Sequence, residues 1–536
     1  MNRGDLSAAE TMFRRSLTIK ATQQGAPEDL GTTHANLGLV LLEQGRLADA
    51  GTEFAAAVDL RRVQASPLEM AALQTNLARI ERLRGRPEAA TAAAREALDL
   101  RRAQVPQSLL VAATATELGL AREAVRAYDE ALALHREALG IREKLAANSI
   151  AVAESLERIA VVMSKTGDPL AARSAFEQAV DAWALVSPGS LDHVNVVHEV
   201  GAFLVERGEN EEGLRRLREA VDLLERSRTA RPNGTIEARA QLVPRLQAYY
   251  GAPIRLLAER GDAGESFTLL DRMHERLRRA RGGDDGPIAS MAPLDALRRG
   301  VEAGTLVVAF SVQPAASYAF VGTHDAPLRV YRLSETGEAI GERVKQFNVR
   351  VQTRTSSAAY QVPLVNDGKA LFEILFGQFE SAANSADRLL IVPDGPLEGL
   401  AFSDLARNPS GRLNWEYLID WKPMVFAPSM VSVVAWAGGA AGPGSVGQLF
   451  PTVDEADAAD TKLVGETMAG GAIVSLWTPA GGATSEFGEL FKMSLTAGRA
   501  RETALSRAQR VMRDERGKTH PAYWAAFRYY GAGGAR

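Results

Sequence analysis

Apolar positions recur with a helical period from the start of the chain to about residue 280. Within this part, a glycine is followed by a small residue five positions later, an aromatic or apolar residue four further on, and a small residue three after that. Gly45, Ala50, Phe54 and Ala57 form one copy. The copies begin at Gly4, Gly45, Gly85, Gly119, Gly167, Gly208 and Gly261.

The pattern predicts a helical hairpin for each copy. The glycine suits a left-handed cap that ends the first helix, and small residues on the second helix allow two helices to approach closely. Stacked hairpins form a solenoid. We expect about seven hairpins, the first incomplete, because Gly4 to Leu17 is a second helix without its partner. Either this helix caps the array or the natural protein extends upstream.

The periodicity changes past residue 300. Short β-rich runs, TLVVAFSV, ASYAFVGTH and LRVYRL, precede a predicted helix over 341–351, and Leu389 to Val392 is an apolar run typical of a buried parallel strand. Alternating strands and helices indicate an α/β domain. The glycine-rich GGDDGP places the boundary near Pro287. We therefore expect an all-α solenoid over 1–286 and an α/β domain over 287–536.

The N-terminal pattern resembles the tetratricopeptide repeat, whose signature Asn36-Leu37-Gly38 with Ala50, Phe54 and Ala57 fits well. The period near 40 residues resembles the kinesin-light-chain-type variant. The resemblance implies a concave groove, lined by the first helices, that binds a peptide or protein partner. Asn36 and Asn76, 40 residues apart, are candidates to clamp a peptide backbone, since an amide both donates and accepts. The alternative is that both asparagines only satisfy local polar groups.

Three later segments, LLIVPDGPLEGLAF from Leu389, AIVSLW from Ala472 and HPAYWAAF from His520, resemble the CHAT domain. This is a caspase-like fold found in bacteria behind tetratricopeptide repeats. The resemblance implies a catalytic histidine and cysteine between the first two segments. Neither motif can be placed in the short interval at about 437–464. We expect a truncated caspase-like domain whose sheet closes up, with 389–392 beside 472–477.

Composition narrows the chemistry. The chain contains no cysteine, which excludes disulfides, thiolate metal sites and a thiol nucleophile. A net charge of -4 provides no global positive field for nucleic acid or an anionic membrane. No apolar stretch reaches the 18 or more residues that span a bilayer, and the first residues, MNRGDLSAAETMF, form neither a basic n-region nor an apolar h-region, so we expect a cytoplasmic protein. No phosphate-binding fingerprint or metal-ligand spacing appears, so we expect no cofactor. We interpret the histidines in the repeats as surface or core residues: His34, His135, His193 and His198.

A few residues could carry chemistry in the C-terminal part. Ser475 and His520 are formally a serine–histidine pair, but in the family they match structural positions, so no catalytic residue is assigned. Asp394 is interpreted as a turn residue with a side-chain-to-backbone hydrogen bond. The arginines near the end of the last repeat are interpreted as a solvated helix terminus rather than a nucleic-acid patch: Arg276, Arg278, Arg279 and Arg281.

Two functional hypotheses follow. The first is a protein-interaction scaffold, in which the repeat array binds a peptide or protein and the CHAT-like domain is a catalytically inactive pseudo-protease. The alternative is a CHAT-family peptidase that retains activity through a nucleophile unlike the family's.

Overall fold

The computed structural model describes residues 3–23, 26–63, 65–227, 236–282, 301–353, 358–408, 415–432, 471–475, 483–516, 520–525 and 527–531. It divides into two compact units, Met1–Arg216 and Leu217–Arg536. The division falls within one helix, Asn210–Arg226. The interval at 437–464 lies outside the described residues, and so does the predicted boundary near Pro287, which stays a prediction.

The first unit consists of helices that pack in consecutive hairpins, as the sequence pattern predicts. The helices are α1 Arg3–Thr22, α2 Pro27–Glu43, α3 Leu47–Arg61, α4 Pro67–Leu83, α5 Pro87–Gln104, α6 Leu109–Ala124, α7 Tyr128–Leu145, α8 Ile150–Lys165, α9 Pro169–Val186, α10 Leu191–Glu206 and the start of α11 Asn210–Arg226.

One repeat was placed wrongly from the sequence. Gly119, expected to end a first helix, lies inside α6, and the turn that follows α6 has Arg126 in the left-handed conformation at φ 59°. The other turns carry the expected glycines with φ between 71° and 90°: Gly45, Gly85, Gly167 and Gly208. When Arg126 replaces Gly119 as the turn residue of the fourth repeat, successive turn residues are 40, 41, 41 and 41 positions apart. The sequence did not reveal this turn, because glycine usually occupies the left-handed conformation and here the residue is an arginine.

Gly119 has a packing role instead. A Cβ atom there would lie 2.6 Å from Cε1 of His135, as a Cβ at Gly38 would lie 2.6 Å from a ring carbon of Phe54. His135 thus occupies the position of Phe54 in its own repeat. It is 1% exposed, and its Nε2 lies 2.7 Å from Oε1 of Glu123. The prediction of a core histidine is confirmed for His135.

Buried arginines connect successive hairpins. Arg101 donates to the hydroxyl of Thr114, and Arg142 donates to that of Ser155, in both cases 13 residues further along the chain. Burial lowers the pKa of both guanidinium groups. Each bond joins the second helix of one hairpin to the first helix of the next, so it fixes how the two stack.

The second unit combines helices with a sheet. Its strands are β1 Thr305–Val312, β2 Ser317–Thr323, β3 Arg329–Arg332, β4 Arg388–Val392, β5 Ala406–Arg407, β6 Glu416–Tyr417, β7 Met424–Phe426, β8 Gly471–Ser475 and β9 Phe527–Gly531. Its helices after α11 are α12 Ile236–Glu259, α13 Ala263–Gly282, α14 Gly337–Gln352, α15 Ala358–Phe376, α16 Glu380–Ser385, α17 Leu418–Trp421, α18 Ala483–Thr496 and α19 Arg501–Asp514. The 3-10 helices are Gly377–Phe379, Gly395–Gly399, Phe402–Asp404 and Pro521–Tyr523.

In the described residues the main sheet has the order β3-β2-β1-β4-β7-β9-β8. The strands β1, β4, β7 and β9 run parallel, while β2, β3 and β8 are antiparallel to their neighbours. The buried parallel strand predicted at Leu389 to Val392 is confirmed. The predicted pairing of this strand with 472–477 is wrong, because β7 and β9 lie between β4 and β8. The short apolar run Met424–Phe426 takes the position beside β4.

The left-handed turn at Arg126 yields a stability prediction. Arg126 is exposed, so replacing it by glycine removes backbone strain without losing packing. We expect Arg126→Gly to stabilise the protein by about 0.5–1 kcal/mol, after allowing for the greater freedom of glycine in the unfolded chain. Thermal unfolding measures the change. The matched control is Arg136→Gly, an exposed arginine inside α7, which should lose about 1 kcal/mol. Destabilisation by both variants would contradict the assignment of the turn.

Candidate functional site

The two candidate asparagines lie on first helices of successive hairpins, Asn36 on α2 and Asn76 on α4. Asn36 is exposed and makes no hydrogen bond with any residue that the structure describes. Asn76 is half-buried, and its Nδ2 donates to the carbonyl oxygen of Ala72, 3.0 Å away. The second amide is therefore partly engaged within its own helix, whereas the first has its full hydrogen-bonding capacity available.

The corrected repeat length identifies the equivalent positions in the later hairpins. Each asparagine precedes the turn residue of its hairpin by nine positions, and the same offset gives Glu117, Arg158 and Glu199. We call this set the first-helix stripe: Asn36, Asn76, Glu117, Arg158 and Glu199. Sequence reasoning missed its last three members. At Glu117 the copy placed at Gly119 shifted the register by seven residues, and at Arg158 and Glu199 the amide is replaced by a charged residue.

Side chains of neighbouring first helices contact one another along this stripe. Arg82 on α4 donates to Glu117 on α6, with 3.2 Å between Nη2 and Oε2. The hydroxyls of Thr75 and Thr114 on the same two helices are 3.5 Å apart. The stripe therefore runs across adjacent helices, changing from uncharged amides to charged groups along the array.

Two carboxylates interact at the charged end of the stripe. Glu157 on α8 accepts from the indole nitrogen of Trp183 at 2.8 Å and from Arg158 at 3.1 Å. Burial and the nearby charge of Glu157 raise the pKa of Glu199 to about 7, while Arg158 opposes the shift. Burial also raises the pKa of Glu157. A substantial fraction of Glu199 is therefore protonated at neutral pH.

In the second unit, the carboxyl ends of the parallel strands form the edge at which open α/β sheets bind ligands. Side chains from α13 contact the segments that follow these strands. Asp271 accepts from the backbone nitrogens of Met430, at 2.5 Å, and Val431, at 3.2 Å, after β7. Glu275 accepts from the hydroxyl of Ser429 at 3.0 Å.

The segment after β4 meets the same helix. Asp394 lies between β1 and α13: its Oδ2 accepts from the backbone nitrogen of Val312 at 2.7 Å, and its Oδ1 is 3.3 Å from Nε2 of His274. The predicted side-chain-to-backbone bond of Asp394 is confirmed, although it reaches the end of β1 rather than its own turn. It binds the ends of two neighbouring strands together.

We call these side chains the α13 cluster: Asp271, His274, Glu275, Asp394 and Ser429. All of them are 5% exposed or less. Burial raises the pKa of Asp271 to about 6. Burial acts to raise the pKa of Glu275, but the hydrogen bonds from Arg278 and Arg279 act to lower it. The hydrogen bonds outweigh burial, so the pKa of Glu275 is lowered. The cluster brings a histidine, hydroxyl and carboxylates together, but it does so in the packed interior of the unit.

Two of the arginines of α13 pair with a carboxylate of this cluster. Arg278 and Arg279 donate to Oε1 of Glu275 at 2.6 and 2.8 Å. Arg276 is 3% exposed, so the expectation of a solvated terminus is wrong for this residue. The side chain of Arg281 lies outside the described residues. The helix packs here on strands and loops, and sequence reasoning treated it as the free end of a repeat.

The two members of the formal serine–histidine pair lie on β8, for Ser475, and directly before the 3-10 turn that precedes β9, for His520. Ser475 ends β8, where its backbone pairs with Phe527, and its side chain lies outside the described part. His520 is buried just before the 3-10 turn Pro521–Tyr523, and burial lowers the pKa of its imidazole. A lowered pKa keeps this ring neutral at physiological pH.

The described ranges contain neither a metal-binding cluster nor a membrane-spanning helix. No group of three or more histidine, aspartate or glutamate side chains there is arranged to hold a metal ion. No helix in the same ranges has the length and apolarity to cross a membrane.

The raised pKa of Glu199 predicts a pH-dependent stability. Because its folded pKa of about 7 exceeds the ordinary 4.5, its contribution to stability is complete below pH 4.5 and is lost as the pH rises through 7. Glu199→Gln should therefore equal the wild type near pH 4.5 and exceed it by about 1–3 kcal/mol above pH 7, measured by unfolding at each pH. Glu206→Gln, exposed on the same helix, is the control. A pH-independent difference would contradict the burial of Glu199.

Two family models match parts of the chain. The family model for the tetratricopeptide repeat matches residues 29–103 and 110–184, and the model for the CHAT domain matches residues 469–532. A search of curated proteins gives no match. Similar solved structures include BtubC (BKLC) from P. vanneervenii, at 17% identity and a TM-score of 0.34, covering 41% of this chain and 88% of that one.

Two further solved structures are similar to part of this chain. The putative kinesin light chain repeats of Podosopora anserina are 18% identical with a TM-score of 0.34, covering 37% of this chain and 95% of that one. YrrB, described as a TPR protein with an unusual peptide-binding site, is 16% identical with a TM-score of 0.28, covering 39% and 91%. From the family models and the observed elements together, the chain carries tetratricopeptide repeats followed by a CHAT domain.

Proposed function

We propose that this protein is an interaction scaffold whose repeat array binds an extended peptide segment of a protein partner. The observation that carries the proposal is the position of Asn36 and Asn76 at equivalent sites of consecutive tetratricopeptide repeats. An amide held on a rigid helix can donate to a peptide carbonyl and accept from a peptide nitrogen, so it holds a backbone without requiring a particular sequence.

The rest of the first-helix stripe supplies selectivity in this proposal. Beyond the two asparagines the stripe carries Glu117, Arg158 and Glu199, and the first two already have charged neighbours in Arg82 and Glu157. A peptide that crosses the stripe therefore meets uncharged amides at one end and paired charges at the other. We infer that the amides hold the backbone and that the charged positions discriminate between peptide side chains.

We further propose that the CHAT domain has no peptidase activity and serves as a pseudo-protease. The chain contains no cysteine, so it cannot form the thiolate that such enzymes use as nucleophile. The buried α13 cluster supports the same view, because α13 occupies the carboxyl ends of β1, β4 and β7, where a substrate would need access.

A peptide-display experiment on the full chain tests the array. Peptides enriched on the immobilised protein are synthesised, and their dissociation constants are measured by fluorescence anisotropy. The double variant Asn36→Ala with Asn76→Ala should bind at least about tenfold more weakly, as expected for losing a few backbone hydrogen bonds. The matched control is Gln104→Ala with Gln178→Ala, two exposed amides on second helices. Equal losses in both double variants, or none in either, would contradict the groove.

The same peptides test the inactivity of the CHAT domain. After prolonged incubation with the protein, mass spectrometry should recover them intact. Cleavage products that appear with the wild type and disappear with Ser475→Ala would contradict the proposal and support the peptidase alternative.

A further inference from the structure

A pocket of about 430 Å³ opens on the surface of the second unit. Its walls come from α15, from β6 with the residue before it, and from the end of α19. Two large apolar side chains of these walls remain open to solvent, Val362 at 62% exposure and Trp415 at 40%. Exposed apolar side chains beside a concave surface are typical of places where a further molecule binds. The pocket is therefore a candidate site for such a molecule.

One wall of the pocket is a group of aromatic rings that hold one another in place. The rings of Trp415 and Tyr417 are 4.7 Å apart in an edge-to-face arrangement, and Tyr417 packs in the same manner on the buried Trp524 at 5.3 Å. The guanidinium carbon of Arg513 lies 5.6 Å from the centre of the Tyr417 ring. Because these side chains are already ordered, a ligand that packs on them loses little affinity to side-chain entropy.

The charges of the side chains that line the pocket, together with the partner of Arg513, sum to zero. Arg513 is shared by two carboxylates. It donates to both oxygens of Asp420 at 2.7 and 2.9 Å and to both oxygens of Asp514 at 2.6 and 2.8 Å. These three groups leave one negative charge, which the ammonium group of Lys369 in the same pocket balances. The pocket therefore favours neither an acidic nor a basic ligand.

The hydrogen-bonding groups that the pocket leaves free are mainly donors. The indole nitrogen of Trp415 and the ammonium group of Lys369 form no hydrogen bond with any residue that the structure describes, and both groups can only donate. The exposed amide of Asn366, one helical turn from Lys369, can donate and accept. Both oxygens of Asp514 already accept from Arg513. An uncharged ligand that is rich in acceptors and poor in donors matches this set.

We propose that this pocket binds a proline-rich segment of a partner protein in the polyproline II conformation. Proline carries no charge and has a carbonyl acceptor but no backbone N–H donor, and the polyproline II helix is stiff with its carbonyls open to solvent. The pyrrolidine rings pack against Trp415 and Tyr417, and the carbonyl oxygens accept from Trp415 and Lys369. Aromatic-lined grooves are a general means of binding such segments. This site is separate from the groove proposed for the repeat array, because it uses only residues between 362 and 521.

Calorimetric titration of the full chain with blocked peptides tests the ligand. Acetylated and amidated octaproline should bind saturably. A blocked peptide of the same length that alternates serine and alanine should bind at least about tenfold more weakly, since it lacks the rigid rings and brings N–H donors that the pocket does not satisfy. Octaproline extended by one glutamate or by one lysine should bind within about twofold of the neutral peptide, because the charges around the pocket cancel.

Two variants of the exposed tryptophan test the contacts. Trp415→Ala removes both the ring and the donor, so it should weaken octaproline binding at least about tenfold. Trp415→Phe keeps a ring and removes the N–H group, so it should weaken binding only about threefold. The matched control is Met493→Ala, which removes a 68% exposed apolar side chain on α18 and should bind octaproline as the wild type does. Melting curves confirm that each variant is folded.

Several outcomes would overturn the proposal. They are equal binding of the two neutral peptides, no saturable binding of octaproline, and unchanged affinity in Trp415→Ala. A preference of more than about fivefold for one of the charged peptides would also overturn it. The double variant Asn36→Ala with Asn76→Ala should bind octaproline as the wild type does. A loss confined to that variant would place octaproline in the groove of the array and contradict the site at Trp415.

Discussion

The constraint on which the second unit depends is the pairing of buried polar groups where α13 meets the ends of the strands. Backbone nitrogens at the start of a helix or the end of a strand need a partner when water is excluded, and an unpaired buried group costs about 1–3 kcal/mol. Asp271 supplies that partner after β7, and Asp394 supplies it after β1. These carboxylates join the last helical hairpin to the sheet and close the edge of the sheet against solvent.

The two groups of polar side chains in the protein therefore differ in their exposure to solvent. The first-helix stripe is built from side chains that remain partly open to solvent, with the exposed amide of Asn36 at one end. The α13 cluster contains the residue types of a catalytic site, but Asp271, Asp394 and Ser429 accept hydrogen bonds from backbone nitrogens. Chemical identity alone therefore does not mark a functional site. Burial and backbone hydrogen bonds give Asp271 and Asp394 a structural use, whereas neither ring nitrogen of the buried His274 makes a hydrogen bond with a described residue.

The sequence predicted the features that depend on a local pattern of residues and missed those that depend on contacts between distant segments. The hairpins of the array and the strand Leu389 to Val392 are confirmed, because periodicity and apolar runs are local properties of the chain. The fourth repeat was misplaced because Arg126 adopts a conformation that usually selects glycine. The order of strands beside β4 was wrong because the three-residue β7 is too short to be recognised as a core strand. The α13 cluster joins residues 271, 394 and 429, and no pattern within one segment indicates such a meeting.

The helix α13 belongs to the sheet and closes its edge. Hydrogen–deuterium exchange of the full chain measures this directly, since an amide exchanges only when its part of the structure opens. We expect the amides of α13 from Asp271 to Leu277 to exchange as slowly as those of β4, because the same opening exposes both. Rapid exchange in α13 while β4 stays protected would contradict it, and would show that the edge opens while the sheet remains folded.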